Sequence, residues 1–331
     1  MGATGTEGAD PDTIGAVGEF ALVAMVVARL PVGDGVDLGP GDDAAVVRAP
    51  DGRVVATTDV LVEERHFRRA WSSGYDVGRR AAAQNLADVA AMGAVPTALL
   101  VGIVVPGDLP AQWALDLADG LRDESDLVGA SVVGGDVTRG DKIVVAVTAL
   151  GDLGGRAPVT RGGAMPGDVV AVCGRLGWSE AGRAVLSRGF RSPRVVVSAY
   201  QRPEPPYDAG PEAALLGATA MIDVSDGLLQ DLGHVAVASG VQIDLDGEAF
   251  GLEQPLRDVG AALGVDPMTF VLAGGEDHAL VACFPPRVAL PERWHMVGQV
   301  GARADPSDAT APAVTVDGAA WHGATGWDHF R

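Results

Sequence analysis

Lysine is almost missing from this chain: Lys142 is the only one in 331 residues. That scarcity removes two common ways of handling nucleotides. A phosphate-binding loop of the form G-x-x-x-x-G-K-[ST] ends on a lysine, and no such stretch occurs. The protein-kinase motif set needs a lysine in a strand and is absent as well. Cysteine is nearly as scarce. Cys173 and Cys283 stand alone in apolar, strand-like runs, which argues against a disulfide or a zinc site and predicts buried free thiols. Aromatic residues make up 5%, so the core must be built from Val, Leu, Ile and Ala. A surplus of positive charge is lacking too. With a formal net charge of −20 the chain is poorly suited to nucleic acid, whose phosphates demand a basic surface. Small phosphate ligands are still open to it if a metal stands between the two sets of anions. No apolar run is long enough to span a bilayer, since "ALLVGIVVP" is short and bounded by glycine and proline. The opening "MGATGTEGADPD" has neither a basic region nor an apolar core, so no signal peptide is expected and the protein reads as soluble and cytoplasmic.

What is present is a long, apolar-rich chain that predicts two domains. Glu19 to Arg29 reads as an apolar helix stopped by Pro31. "RVVATTD" (Arg53 to Asp59) is a β-branched strand, Asp76 to Met92 an Ala-rich helix closed by Gly93, and Ala98 to Val105 a strand. Pro110 to Val128 follows as a helix, then the strand "SVVGGD" and another from Ile143 to Leu150. The Gly/Pro/Arg-rich stretch Gly151 to Asp168 lacks hydrophobic periodicity and marks the boundary. Beyond it come "VVAVCGRLG", a helix from Trp178 to Arg188, "MIDVSDG", a helix from Leu228 to Ser239, "VQIDLDG" and "ALVACFP". The expected organisation is a flexible segment 1–17, an N-terminal domain 18–150 and a C-terminal domain 151–331, of mixed α/β class.

Acids recur at the ends of the strands. "GPGDDAAVV" carries Asp42 and Asp43; "VVATTDVLVEERHF" carries Asp59, Glu63, Glu64 and His66; "VVGGDVTRGD" carries Asp136 and Asp141. "MIDVSDGLLQDLGH" brings Asp223, Asp226 and Asp231, and "LAGGEDHAL" brings Glu276 and Asp277. Any one of these is an ordinary turn, where Asp is favoured for its local hydrogen bonds. Together they fall where α/β architectures gather ligand groups. Clustered carboxylates repel unless hard cations join them, and oxygen ligands without Cys or grouped His point to Mg²⁺ or Mn²⁺. Divalent metals with glycine-flanked amides are the usual equipment for polyphosphate. On the Ala-rich helix, Gln84, Asn85 and Asp88 share one face, either a solvated stripe or a ligand face; their apolar neighbours favour a ligand face. Arg139 and Arg161, in glycine-rich loops, are candidates to meet phosphate.

Taken in order, "GPGDDAAVV", "TTDVLVEERHF", "AAAQNLADVAAMGA", "GGDVTRGD", "VTRGGAMPGD", "DVSDGLLQDLGH", "GGEDHAL" and the closing "GWDHF" resemble the thiamine-monophosphate kinase family. The resemblance runs over residues 18–330. It implies the two-domain fold of the aminoimidazole ribonucleotide synthetase-like superfamily, with N-terminal domains pairing in a homodimer. It also implies transfer of the γ-phosphoryl group of ATP to thiamine monophosphate with several Mg²⁺ ions. By motif match, Asp43, Thr57, Asp59, Asp88 and Asp223 would ligate Mg²⁺. Thr58, Gly135, Asp136, Arg161, Ser225 and Asp226 would hold nucleotide phosphates or their metals, and His66, Glu276 and Trp327 would contact the thiamine moiety. Departures from the family pattern are small: Pro40 in the first motif, Glu64 where glycine is common, Val137, and Trp327 where tyrosine also occurs. The alternatives are a sister ATP-dependent enzyme or a non-catalytic nucleotide sensor. A selenophosphate synthetase would carry a reactive cysteine near its N-terminus, whereas the first cysteine here is Cys173.

Overall fold

The structure is a computed structural model and describes residues 12–40, 44–302 and 313–327. Its contacts divide the chain into two compact units. One gathers Met1–Arg48, Thr58–Ala82 and Thr97–Ala149; the other gathers Ala49–Thr57, Ala83–Pro96 and Leu150–Arg331. Residues 49–57 and 83–96 therefore pack with the C-terminal half although they precede it in the chain. Among the described residues no helix is long and apolar enough to cross a membrane.

The first unit opens with α1 (Ile14–Val17) and α2 (Glu19–Val27). Residues 1–11 of the segment expected to be flexible lie outside the described residues. Its remainder is held: Ile14 is buried, and the amides of Ile14 and Gly15 donate to Leu109 and Gly107 at 2.9 and 2.8 Å. A small antiparallel pair follows, β1 (Val36–Leu38) and β2 (Val46–Val47). Next along the chain, divided between the two units as given above, come β3 (Val55–Val62), α3 (Gly74–Ala91), β4 (Val95–Val105), α4 (Ala111–Asp126), β5 (Ser131–Arg139) and β6 (Val144–Asp152). The strands order as β3-β6-β4-β5, with β4 and β5 parallel. A reciprocal pair starts α3: the Ser73 amide donates to Asp76 Oδ2 at 3.0 Å and the Asp76 amide to Ser73 Oγ at 3.2 Å, satisfying amides left over at a helix start. Small residues then let α3 and α4 approach backbone to backbone. A Cβ on Gly78 would collide with the Leu117 carbonyl, and one on Gly120 with that of Tyr75. Beside this crossing Arg79 pairs with the buried Glu124, and the Tyr75 hydroxyl donates to Asp123 at 2.9 Å.

The second unit continues with β7 (Val169–Cys173), α5 (Trp178–Ser187), α6 (Arg194–Gln201), α7 (Ala209–Leu216), β8 (Ala220–Asp223), α8 (Leu228–Ser239) and β9 (Val241–Leu245). It ends with α9 (Gln254–Leu263), α10 (Pro267–Ala273), β10 (Leu280–Phe284), β11 (His295–Ala302) and β12 (Val314–Val316). Periodicity does not mark α6, α7, α9, α10, β11 or β12 in the sequence. The sheet order is β12-β9-β11-β7-β10-β8, antiparallel throughout except for the β12–β9 pair. Strands β8 and β10 are buried along their whole length, which explains their continuous apolar runs. Val170, Val172, Ile222, Val281 and Cys283 join Leu228, Leu232 and Val235 of α8 in one core. Both cysteines are free and buried, as their setting predicts. Burial pushes the Cys173 thiol up to about 11 and the Cys283 thiol up to about 12, so neither is a nucleophile at neutral pH.

Candidate active site

The acid-bearing motifs at 220–231 and 274–278 fold into one object. β8 delivers Asp223 at its buried end, and Ser225, Asp226 and Gly227 turn the chain into α8. Gly227 has φ 138°, and a Cβ there would meet the Ala273 carbonyl oxygen at 2.7 Å, so the turn admits glycine alone. Asp231, one turn into α8, closes it. Its Oδ2 accepts the amides of Ser225, Asp226 and Gly227 at 3.0, 3.1 and 3.0 Å. Three successive amides of this kind form a nest for an anion, and here a carboxylate of the chain itself fills it. Ser225 and Asp226 are thus left to meet a ligand with their side chains, not their amides. Burial, reinforced by the charges of Asp223 and Asp226, pushes the Asp231 carboxyl up to about 7 against the pull of those amides.

A second turn, Gly274 to His278, is stitched onto the first. The Glu276 amide donates to the Ser225 carbonyl at 2.8 Å and the His278 amide to the Val224 carbonyl at 3.0 Å. A Cβ on Gly275 would collide with the Ser225 carbonyl, so the glycine is what permits this approach. Glu276 and His278 both adopt left-handed backbone, φ 67° and 53°. Such conformations cost non-glycine residues roughly 1–3 kcal/mol each and cluster at functional sites. Between them Asp277 is buried and caps α5: its two oxygens accept the amides of Gly177 and Ser179 at 2.6 and 2.8 Å. Burial outweighs these bonds and pushes its carboxyl up to about 7. The His278 ring is buried as well, with Nδ1 3.0 Å from Asp223 Oδ2 and Nε2 3.8 Å from Glu276 Oε2. Burial opposes its charge, but the two carboxylates, Asp223 foremost, push its proton affinity up to about 10. At 3.8 Å the Glu276 contact is an ion pair, not a hydrogen bond, so Asp223 fixes the proton.

Residues 325–327 lie on the first turn and the start of α8. The Trp327 amide donates to the Asp226 carbonyl at 2.9 Å, and Gln230 Nε2 reaches both Asp226 Oδ2 at 3.1 Å and the Trp327 carbonyl at 3.0 Å. The Arg183 guanidinium, in a two-pronged pair with Glu180, sits 5.6 Å from the ring centroid of Trp327, which is 41% exposed. Asp223, Ser225, Asp226, Glu276 and Trp327 are therefore brought together as one cluster.

Each of the other candidates has its own local setting. Thr57 on β3 donates its hydroxyl to Asp88 Oδ2 on α3 at 2.8 Å. Gln84 and Asn85 beside Asp88 are buried, so this helix face is no solvated stripe. Asp59 is half-buried on β3, and Asp136 is exposed on β5. Thr58 spends its hydroxyl proton on the Val147 carbonyl at 3.0 Å and accepts from Thr148 at 3.1 Å. Gly135 has a packing reason of its own, because a Cβ would collide with the Val101 carbonyl. Arg161 is exposed, and its carbonyl accepts from Ser239 at 3.0 Å. His66 Nδ1 accepts the Val62 amide at 2.9 Å. Glu63 is buried and structural, accepting from Arg69 at 2.6 Å and the Ile143 amide at 3.1 Å. Asp42 and Asp43 lie outside the described residues.

Among the described residues no three His, Cys, Asp or Glu side chains converge closely enough to hold a metal ion. The donor chemistry nevertheless suits Mg²⁺, which keeps several waters and asks for one or two carboxylates. Thr57 and Asp88 present paired oxygens, and the turn at 223–227 sets the carboxylates of Asp223 and Asp226 near each other. Sequence reasoning missed Asp231, Gln230 and His278 as organisers of this cluster. Signals were there: a second acid four residues after Gly227, and paired glycines before an acid–acid–histidine run.

Residues 41–153 match the family described as AIR synthase related protein, N-terminal domain. Over 320 residues the chain is 49% identical to the thiamine-monophosphate kinase of Mycobacterium tuberculosis, covering 96% of this chain and 93% of that one. A thiamine-monophosphate kinase structure from Stenotrophomonas maltophilia superposes with a TM-score of 0.76 at 29% identity, covering 91% of this chain and 95% of its own. A structure described as AaThiL complexed with AMPPCP and TMP superposes with a TM-score of 0.77 at 30% identity, covering 95% and 97%. Likeness of this degree over nearly the whole length makes the chain a member of the thiamine-monophosphate kinase family.

Proposed function

We infer that this chain transfers the γ-phosphoryl group of ATP to thiamine monophosphate, giving thiamine diphosphate and ADP. The observation that carries it is the joined pair of acid turns at 223–227 and 274–278, with Trp327 held on the first of them, in a chain this similar to the family. The relative solved with AMPPCP and TMP supports a nucleotide and thiamine phosphate as the two ligands.

The acceptor is a phosphate monoester whose second pKa is about 6, so it is largely dianionic near neutral pH and needs no general base. One of its terminal oxygens forms the new P–O bond as the bond between the γ-phosphorus and the β–γ bridging oxygen breaks. The barrier is the meeting of two polyanions in line. Bound Mg²⁺ would supply the charge neutralisation that this meeting demands. For the protein's part, Asp43, Thr57, Asp59, Asp88 and Asp223 would hold the cations. Thr58, Gly135, Asp136, Arg161, Ser225 and Asp226 would place the nucleotide phosphates or their metals, Asp136 and Asp226 through the cations. His66, Glu276 and Trp327 would orient the thiamine, with the indole stacked on its cationic ring. The division into domains 18–150 and 151–331, a homodimer formed through the N-terminal domains, and a cytoplasmic location belong to the same proposal.

The test is purified protein with MgATP and thiamine phosphate, product read by chromatography, with free thiamine as control acceptor. Thiamine diphosphate and ADP in equal amounts are expected. ATP binding without product would support a nucleotide sensor instead.

A further inference from the structure

His278 has no role in the reading above, yet it is the most constrained side chain of the cluster. Its ring is buried, one nitrogen lies 3.0 Å from Asp223, and the other is a buried nitrogen without a hydrogen-bond partner, 3.8 Å from Glu276. The backbone is left-handed at His278 and again at Glu276, in a turn that already contains Gly274 and Gly275. Glycine in place of either residue would relieve the strain; the chain keeps side chains instead. An apolar residue at 278 would fill the space, but it would leave the buried Asp223 without its donor.

We propose that His278 is a positioning residue that sets the Asp223 and Glu276 carboxylates at once, tying the cation-binding end of the site to its thiamine-binding end. The imidazole takes Asp223 Oδ2 and so turns the other oxygen toward a cation. Its opposite nitrogen faces Glu276 and restrains that carboxylate on the side where substrate sits. The two turns are already joined by backbone hydrogen bonds, so the imidazole adds what the backbone cannot: a hydrogen bond that orients Asp223 and a ring nitrogen facing Glu276. The inference rests on the reading that Asp223 serves a cation and Glu276 the thiamine.

The experiment compares full-length wild type with His278→Phe, which keeps a ring and removes both nitrogens, and His278→Gln, which keeps one donor for Asp223. Mn²⁺ binding is read by electron paramagnetic resonance without nucleotide, thiamine phosphate binding by calorimetry, and folding by circular dichroism. Loss of an orienting partner typically weakens metal binding about 10- to 100-fold, and that loss is expected in His278→Phe, together with weakened thiamine phosphate binding. His278→Gln should recover Mn²⁺ affinity while thiamine phosphate binding stays weak. A folded His278→Phe with wild-type affinity for both ligands overturns the proposal. If that variant does not fold, His278→Gln decides: unchanged affinity for both ligands overturns it, and a split between them supports it. Failure of the kinase reading would show separately, as wild-type protein that makes no thiamine diphosphate while its Mn²⁺ binding still answers to His278.

Discussion

Asp136 stands exposed on β5 and Asp59 half-buried on β3, whereas Asp223, Asp231 and Asp277 are almost fully buried at two joined turns. An exposed carboxylate such as Asp136 keeps much of its water. A buried one must be answered at once, and the chain supplies three amides to Asp231, two to Asp277 and an imidazole to Asp223. On the proposed reading the open acids serve the cations and the closed acids the architecture, and Asp223, buried with one oxygen on His278, is assigned to both.

The strongest way to break this division is through an open acid. Asp59→Asn should lower kcat about 10²- to 10³-fold, the usual cost of losing one element of preorganised charge, and should leave the melting temperature near that of wild type. Near-wild-type kcat at limiting Mg²⁺ would put Asp59 outside the metal site. The next effect belongs to a closed acid. Asp231→Ala leaves three amides without their acceptor, and a buried amide so stranded costs roughly 1–3 kcal/mol. Urea unfolding should show a loss of that size or more. A loss well under 1 kcal/mol would mean that water replaces the carboxylate and the turn does not depend on it.

The closed acids also fix how stability responds to pH. Asp231 and Asp277 are each pushed from the ordinary carboxylate value up to about 7, so the folded state binds more protons than the unfolded one between about pH 4 and 7. Stability therefore falls as pH rises through that window, by at most about 1.4 kcal/mol per unit for each group. His278 adds a second limb. Its contribution is full below about 6.5 and is lost as pH rises toward about 10. Melting curves in EDTA should fall steadily from pH 5 to 10. Mg²⁺ should flatten the acid limb by favouring ionised carboxylates, and His278→Phe should flatten the alkaline limb. A stability maximum at pH 8 in EDTA would contradict all three assignments.

Much of this was legible in the sequence. Strand ends bearing acids, the Ala-rich helix with Asp88 and the two isolated cysteines all read from pattern, because alternation and helical spacing are local signals. Elements with weak local signals did not. α6 begins "RVVV", a β-branched run that reads as strand; it is helical because Val196, Val197, Ala199 and Tyr200 bury one face and Gly182 of α5 admits the Val196 carbonyl. β11 is obscured by two glycines and a register shift between Met296 and Gly298. α10 did carry a signal, Asp266 capping Met268 at 3.0 Å with proline at the first turn, and it went unread. At the site, an acid after a glycine looks the same whether water or a protein amide will answer it. Only folding separates Asp231, which closes a turn, from Asp226, which lies on its rim.

The smallest expected effect sharpens the comparison most, because it sets two glutamates with one backbone conformation side by side. Glu64 has φ 66° and Glu276 φ 67°, both left-handed. Glu64 is exposed and 3.2 Å from the exposed Arg68. An exposed ion pair of this kind contributes little against the strain. Left-handed backbone costs a non-glycine residue roughly 1–2 kcal/mol, while glycine gives back about 0.5–1 kcal/mol in unfolded-chain entropy. Glu64→Gly should therefore stabilise by up to about 1 kcal/mol, with kcat unchanged. Glu64→Ala, which loses the carboxylate but keeps the strain, should gain nothing. The same change at Glu276 relieves the same strain yet removes a carboxylate facing His278, so KM for thiamine phosphate should rise about tenfold, the scale of one lost charged contact. Equal behaviour of the two glycine variants in both stability and KM would mean that left-handed backbone at Glu276 is incidental, and that the second turn is shaped by Gly274 and Gly275 alone.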